Sequence, residues 1–156
     1  MIDSTTQLRH LATDDIQFRK NALGLVNFLN STGCTTLLAY EPNEPAYDMS
    51  VGLAVDRGLE SGTTTLLSGP AGTGKTTLGM QFLVHMAIAT QKCTALFSFE
   101  ESPSFIATRN HSIGMPIDAV LASDRLRIVR VNPLEPYPDE FLSWCANRSK
   151  RGMAAW

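Results

Sequence analysis

The 156-residue sequence predicts an α/β fold with a mainly parallel sheet covered on both faces. Three observations carry that reading. Short, β-prone apolar runs recur at Thr35 to Tyr40, Thr63 to Ser68, Thr94 to Phe99 and Leu126 to Val131. Helix-forming stretches separate most of them. One run, Thr63 to Ser68, leads through a glycine-rich loop straight into such a stretch.

In chain order, Phe18, Ala22, Leu25 and Leu29 fall at i, i+4, i+7 and i+11, so the spacing predicts an amphipathic helix over Asp14 to Asn30. Asp14 and Asp15 sit favourably at its positive end, and Ser31-Thr32-Gly33 closes it. Thr35 to Tyr40 is bounded by Gly33 and Pro42 and suits a buried strand. Glu41 to Ser50 holds two prolines and three acids and reads as a loop, the clearest internal boundary. After the strand Thr63 to Ser68 and its loop, Thr76 to Thr90 has the length and Leu/Met/Phe/Ala content of a mostly buried helix. Following the strand Thr94 to Phe99, Ser102-Pro103 supplies an N-cap and a first-turn proline for a helix to about Ser112, ended by Gly114. Leu126 to Val131 is the last strand, Pro133 to Pro138 a loop, and Phe141 to Trp156 a short helix trailing into an irregular tail.

Composition excludes several classes. With 44% apolar and 18% charged residues the chain is an ordinary globular sequence, about the size of one domain. A net charge of −2 gives no basic footprint for nucleic acid. The opening Met-Ile-Asp-Ser-Thr-Thr-Gln lacks the basic and apolar regions of a secretory signal, and no apolar run approaches the ~20 residues that span a bilayer, so a cytoplasmic protein is expected. Cys34, Cys93 and Cys145 are far apart and lack metal-site spacing; they read as reduced, mostly buried thiols.

The chemistry concentrates at Gly69-Pro70-Ala71-Gly72-Thr73-Gly74-Lys75-Thr76-Thr77. Residues Gly69 to Thr76 match G-x-x-x-x-G-K-[ST], placed after a strand and before a helix as the phosphate-binding loop requires. Glycines let the backbone take positive φ and turn successive N–H groups toward phosphate oxygens, and the helix adds its positive end. Lys75 is expected to reach the β- and γ-phosphates and the Thr76 hydroxyl to ligate Mg²⁺. ATP with Mg²⁺ is thus the expected ligand pair.

Glu100 and Glu101 follow the strand Thr94 to Phe99 directly, which puts two carboxylates at a strand's carboxyl end, where open α/β sheets bind ligands. A carboxylate there can orient and deprotonate an attacking water. On placement alone, an exposed Glu-Glu pair also suits a solvated turn. His85 and His111 fall on expected helices with no nucleophile beside them and read as packing or surface residues.

The stretch from Gly58 through Thr77, followed by Phe97-Ser98-Phe99-Glu100-Glu101-Ser102-Pro103, resembles the RecA-like ATPase domain of the KaiC family, and the similarity extends over about residues 52 to 140. The resemblance implies a RecA-like P-loop NTPase core, ATP bound between subunits of a homo-oligomeric ring, and Glu100 and Glu101 as the carboxylates that activate water. In that family a strand ending in a Mg²⁺-supporting aspartate lies further on. Downstream of Leu126 to Val131 nothing fits it, because Arg148-Ser149-Lys150-Arg151 stands where an apolar run is expected.

The missing segment resembles the beginning of the chain instead. Ile2-Asp3-Ser4-Thr5-Thr6-Gln7-Leu8-Arg9 is similar to the end of that strand and its continuation, with Asp3 as the aspartate, and the segments around Phe18 and Thr35 to Glu41 are similar to the helix and strand that come next. The implied organisation is residues 1–45 as the second half of a KaiC-like domain, 46–57 as a linker, 58–140 as the first half, and 141–156 as an irregular tail. Remnants of a tandem pair, a circular permutant and a fragmented gene product all fit this reversed, incomplete order. As a stub at the terminus, Asp3 suits a frayed residue as well as a metal ligand. If the pieces pack together, Thr35 to Tyr40 is expected beside Thr63 to Ser68.

The expected function is ATP binding with Mg²⁺-dependent hydrolysis. The alternatives are a nucleotide-binding regulatory module or inactive fragment without turnover, and a small-molecule kinase. The last is disfavoured because Arg109, Arg125, Arg127 and Arg130 lack the glycine-rich context of a phosphate-covering lid.

Overall fold

The computed structural model describes residues 1–3, 12–41, 59 and 62–132. The loop, linker and tail expected at 42–58 and 133–156, Cys145, and Ser4 to Arg9 lie outside the described residues. The described elements run β1 (Ile2–Asp3), α1 (Asp15–Ser31), β2 (Thr36–Tyr40), β3 (Thr64–Ser68), α2 (Lys75–Thr90), β4 (Thr94–Ser98), α3 (Pro103–Ser112), α4 (Ile117–Ala122) and β5 (Leu126–Arg130).

The five strands form one parallel sheet in the order β3-β2-β1-β4-β5. β2 lies beside β3 over its full length, from Thr36 opposite Thr64 to Tyr40 opposite Ser68. The two-residue β1 sits at the centre, with Ile2 opposite both Leu38 and Phe97 and Asp3 opposite Ser98. Its ladder is anchored by N–H donation from Phe97 to the Met1 carbonyl (2.9 Å) and from Phe99 to that of Asp3 (2.8 Å). Sheet order therefore departs from chain order, with β1 and β2 inserted between β3 and β4.

Period-two alternation sorts the side chains into two cores. Leu37 and Ala39 of β2, Leu67 of β3 and Leu96 of β4 join Met80, Val84 and Ala87 of α2 on one face. Ile2, Leu38 and Phe97 point the other way, to Leu25 and Leu29 of α1. The same alternation puts Met1 and Asp3 on the α2 face. Met1 approaches so closely that a Cβ on Gly79 would lie 2.0 Å from its sulfur, so the glycine makes room for it.

The helix ends follow capping chemistry. The Asp14 carboxylate accepts from the Gln17 N–H (2.7 Å) at the start of α1, and the Ser102 hydroxyl from that of Phe105 (3.3 Å) at α3, with Pro103 in the first turn. Gly114 takes φ +81° where α3 ends. Strand limits match the sequence reading to within a residue. α4 was not foreseen: at six residues it is too short to display a helical period. α2 buries a stripe (Gly79, Met80, Val84, Ala87) and leaves Ile88 exposed, so it is half-covered where a mostly buried helix is expected. Cys34 and Cys93 are free but half-buried, a correction to the buried thiols expected; each lies in the connection entering a strand, where packing is incomplete. Among the described residues no helix is long and apolar enough to cross a membrane.

Candidate functional site

The carboxyl ends of β3, β2, β1 and β4 open onto one cleft of about 380 Å³, lined by the loop residues Ala71, Gly72 and Gly74 and the first turn of α2 together with Asp3, Glu41, Ser98, Glu100, Glu101 and Arg109. Parallel order is what collects them there, since every strand delivers the residue after it to the same edge.

Residues 69–74 link β3 to α2. Gly72 and Gly74 take φ +77° and +85°, values that a Cβ makes costly. A Cβ on Gly69 would come within 3.1 Å of the Thr73 hydroxyl. That hydroxyl donates to the Pro70 carbonyl (2.9 Å), bracing the loop across its own turn. α2 begins at Lys75 with no side-chain cap and no acid in its first turn. Its 16-residue dipole and first N–H groups are therefore directed at the cleft with no capping side chain and no acid of the helix's own first turn.

Lys75 is buried, its side chain 8% exposed, and its three ammonium protons have three acceptors: a Glu41 oxygen (3.0 Å) and the carbonyls of Gly69 (2.9 Å) and Pro70 (2.8 Å). An ammonium can be kept charged out of water only with such compensation.

Asp3 is buried at the end of the central strand, and its carboxylate accepts the Thr76 hydroxyl at 2.6 Å. Burial raises its pKa above the ordinary 3.8, as do the nearby Glu101 and Glu100, against the Thr76 hydrogen bond and the Lys75 charge. The frayed terminus allowed by the sequence is not what is observed.

Glu101 is gripped at both oxygens by Arg109, Nη1 to Oε1 at 2.5 Å and Nη2 to Oε2 at 2.8 Å. Its own N–H donates to the buried Ser98 hydroxyl (3.1 Å). The guanidinium also lies 5.6 Å from the Phe105 ring centroid. Its Nε–H is buried without an acceptor among the described residues, a cost of about 1–3 kcal/mol that the bidentate contact offsets. Glu100 is exposed at the mouth of the same cleft.

The structure thus brings Asp3, Lys75, Thr76, Thr77, Glu100 and Glu101 to one cleft, with Pro70 and Thr73 bracing the loop. Sequence reasoning missed two residues. Glu41 reads in the sequence as the start of a loop, although it directly follows a strand expected beside β3. Arg109 carries no sequence signal beyond that of an arginine a phosphate-covering lid would need. His85 is exposed, and His111 pairs with Asp118 (2.6 Å), both outside the cleft.

The cleft's donor set fits a Mg²⁺-bound triphosphate. A hydroxyl and a carboxylate, hydrogen-bonded together, are the hard oxygen donors Mg²⁺ prefers, and it characteristically takes one or two protein ligands with phosphates and water. Among the described residues no cluster of three or more His, Cys, Asp or Glu is arranged to hold a metal unaided.

A family model described as "ATPase: KaiC" matches residues 49–137, more than half of the chain. The chain is 44% identical over 77 residues to "Circadian clock oscillator protein KaiC" of Picosynechococcus sp., and 40% identical over 77 residues to the protein so named of Prochlorococcus marinus. "Circadian clock oscillator protein KaiC 1" of Synechocystis sp. is 42% identical over 77 residues. Each alignment covers 49% of this chain and 15% of the relative, so the chain matches only a small part of these proteins' length. No solved structure matches. Together with the all-parallel sheet, the family match bears out the expected RecA-like α/β core.

Proposed function

Since the chain belongs to the KaiC family of ATPases, we propose that it binds ATP with Mg²⁺ in the cleft at the carboxyl edge of its sheet and hydrolyses it to ADP and phosphate. The observation that carries this reading is the 2.6 Å hydrogen bond from Thr76 to Asp3, residues 73 positions apart in sequence. It unites the phosphate loop, near the middle of the chain, with an acid from the chain's beginning, a pair of oxygen donors that suits Mg²⁺.

In this reading the N–H groups of the loop and of the first turn of α2 hold the phosphate oxygens, and Lys75 exchanges Glu41 for the terminal phosphates. Thr76 and Asp3 would hold Mg²⁺, which when bound would neutralise charge on the phosphates. The glutamates after β4 orient a water and take its proton as its oxygen bonds to the terminal phosphorus and the bond to the ADP oxygen breaks. A second copy of the chain, in a ring-like homo-oligomer, would complete the nucleotide's surroundings with a basic residue.

The test pairs fluorescent-nucleotide binding with phosphate release on the full chain. Binding that is lost in Lys75→Ala, and release that requires Mg²⁺, are expected. Wild-type binding with no release would retire the enzyme reading in favour of a regulatory nucleotide-binding module.

A further inference from the structure

Among the described residues β3 ends the sheet on one side, paired with β2 alone. The Thr63 carbonyl accepts from Thr36 and the Gly69 N–H donates to Tyr40, so both face β2. By period-two alternation the N–H and C=O groups of Thr64, Leu66 and Ser68 point the other way, off the edge of the sheet. Backbone groups so placed are a template for a further strand, and edges are ordinarily protected by charge, proline or a bulge. The run Thr64-Thr65-Leu66-Leu67-Ser68 has no charge and no proline, and its register with β2 is unbroken.

Beside that edge, between α1 and the sheet, lies an apolar groove of about 620 Å³, walled chiefly by Leu23, Val26, Leu38 and Leu66. Leu23 is 62% and Leu66 40% exposed. The ends of the groove are polar. Thr64, at the start of β3, donates to Asn30 near the end of α1 (2.7 Å), so α1 runs antiparallel to β3 and carries Arg19 toward the strand's carboxyl end. At ~3.3 Å per residue in a strand and ~1.5 Å in a helix, Leu66 stands level with Leu25 and Val26, midway between Arg19 and Asn30.

Edge and groove are self-complementary about that midpoint. A two-fold axis at Leu66 sets β3 antiparallel to a second copy of itself, with Leu66 opposite Leu66 and Thr64 opposite Ser68. Apolar meets apolar, hydroxyl meets hydroxyl, and no like charges are apposed. The same axis turns Leu23 toward Val26 of the second copy. It also turns the Arg19 guanidinium toward the carboxyl end of the second copy's α1, whose last turn has no basic residue of its own to meet the helix dipole.

We propose that the β3 edge and the groove beside it are an interface between two copies of this chain. The β3 strands pair antiparallel across a two-fold axis, the two sheets continue into one, and the α1 helices cover both Leu66 side chains. A strand suits the surface better than a small apolar ligand, which would fill the groove and leave the outward backbone groups of β3 without partners. Stable contacts bury about 800 Å² on each side, more than a five-residue edge supplies, so the groove belongs to the contact as much as the edge does. This surface is distinct from the one at which a second copy would complete the nucleotide's surroundings. Antiparallel β3 strands carry their two phosphate loops to opposite ends, away from the axis.

Sedimentation equilibrium of the full chain from about 1 to 100 µM reads the contact, with thermal melts to confirm that each variant folds. The wild type is expected to dimerise within that range. Leu66→Lys and Leu66→Glu each set like charges opposite one another across the axis and should weaken the dimer at least ~10-fold. Mixed together, the two variants should pair again, because position 66 meets its own counterpart only about a two-fold axis. Should a charge at 66 prevent folding, Leu23→Lys, at an exposed helix position, takes its place with a loss of about 10-fold expected. Arg19→Glu should weaken the dimer about 5-fold by setting an anion at the second copy's helix end. Nucleotide affinity should be the same in Leu66→Lys as in the wild type, and a chain that dimerises but binds no nucleotide removes the nucleotide reading and leaves this one standing. A wild type that stays monomeric at about 100 µM overturns the proposal, whatever then covers the edge. An assembly whose size is indifferent to Leu66→Lys overturns it too, as does a failure of the two charged variants to pair on mixing.

Discussion

Two carboxylate–cation pairs line the same cleft, and they are built for opposite purposes. Lys75 meets Glu41 through one oxygen at 3.0 Å and divides its other protons between two loop carbonyls. Arg109 meets Glu101 through both oxygens, at 2.5 and 2.8 Å, and rests against an aromatic ring. An ammonium is a point charge on a flexible stem, and any oxygen of suitable charge can replace any of its partners. A guanidinium fork loses two aligned bonds at once. The first pair is thus suited to yield to a phosphate and the second to stay fixed while chemistry occurs beside it.

The largest effect that could break this comparison is on binding. Lys75→Ala removes the exchangeable cation, and ATP affinity should fall on the order of 100-fold by equilibrium titration, the scale of a charge-assisted contact. Stability should change little, because Glu41 is 32% exposed and can hydrate when its partner goes. Unfolding of this variant would show that the pair is structural and not exchangeable.

Arg109→Leu probes the fixed pair by stability, with no nucleotide present. It leaves a half-buried carboxylate without its fork, so urea unfolding should show a loss of about 1–2 kcal/mol. An unchanged midpoint would place this pair among exposed salt bridges of negligible worth. The third effect is smaller and of opposite sign. Glu41→Gln removes the anion that competes for Lys75, so ATP affinity should rise several-fold, about 1 kcal/mol. A fall in affinity would show that Glu41 holds Lys75 in its working position.

How much of this was legible in the sequence depends on how local each signal is. The glycines, Lys75 and Thr76 lie within one loop and turn, where chemistry and conformation are dictated by neighbours in the chain. Strand runs and caps such as Asp14 and Ser102 are equally local. The Glu101–Arg109 pair is eight residues apart but not a helical spacing, because Glu101 precedes α3 and reaches Arg109 only through the turn at Ser102. Glu41 faces Lys75 only because β2 lies against β3, a pairing with no local mark. α4 lacks the length to show periodicity. Asp3 is the sharpest case. Two residues of strand are too few to signal anything alone, yet ladders from both sides hold β1 at the centre of the sheet.

Asp3 also gives the smallest predicted effect, and its sign separates a structural carboxylate from one poised for a cation. Burial, with Glu101 and Glu100 nearby, raises its pKa above 3.8, so between 3.8 and the raised value the native chain binds more protons than the unfolded one. Stability therefore falls as pH rises through that interval, and above it the buried charge is a constant cost. Asp3→Asn retains an oxygen to accept from Thr76 and removes the charge. The nucleotide-free variant should then be more stable than the wild type at pH 7, by less than about 1 kcal/mol, because the Thr76 bond already offsets part of the cost. The advantage should vanish in urea titrations as pH approaches 3.8. Adding Mg²⁺ with ATP should reverse the ranking, since a cation beside the carboxylate favours its charged form and only the wild type has one to offer. If the wild type were the more stable of the two at pH 7 without nucleotide, Asp3 would be a satisfied structural charge, and the cleft would lose the acid that makes it fit for Mg²⁺.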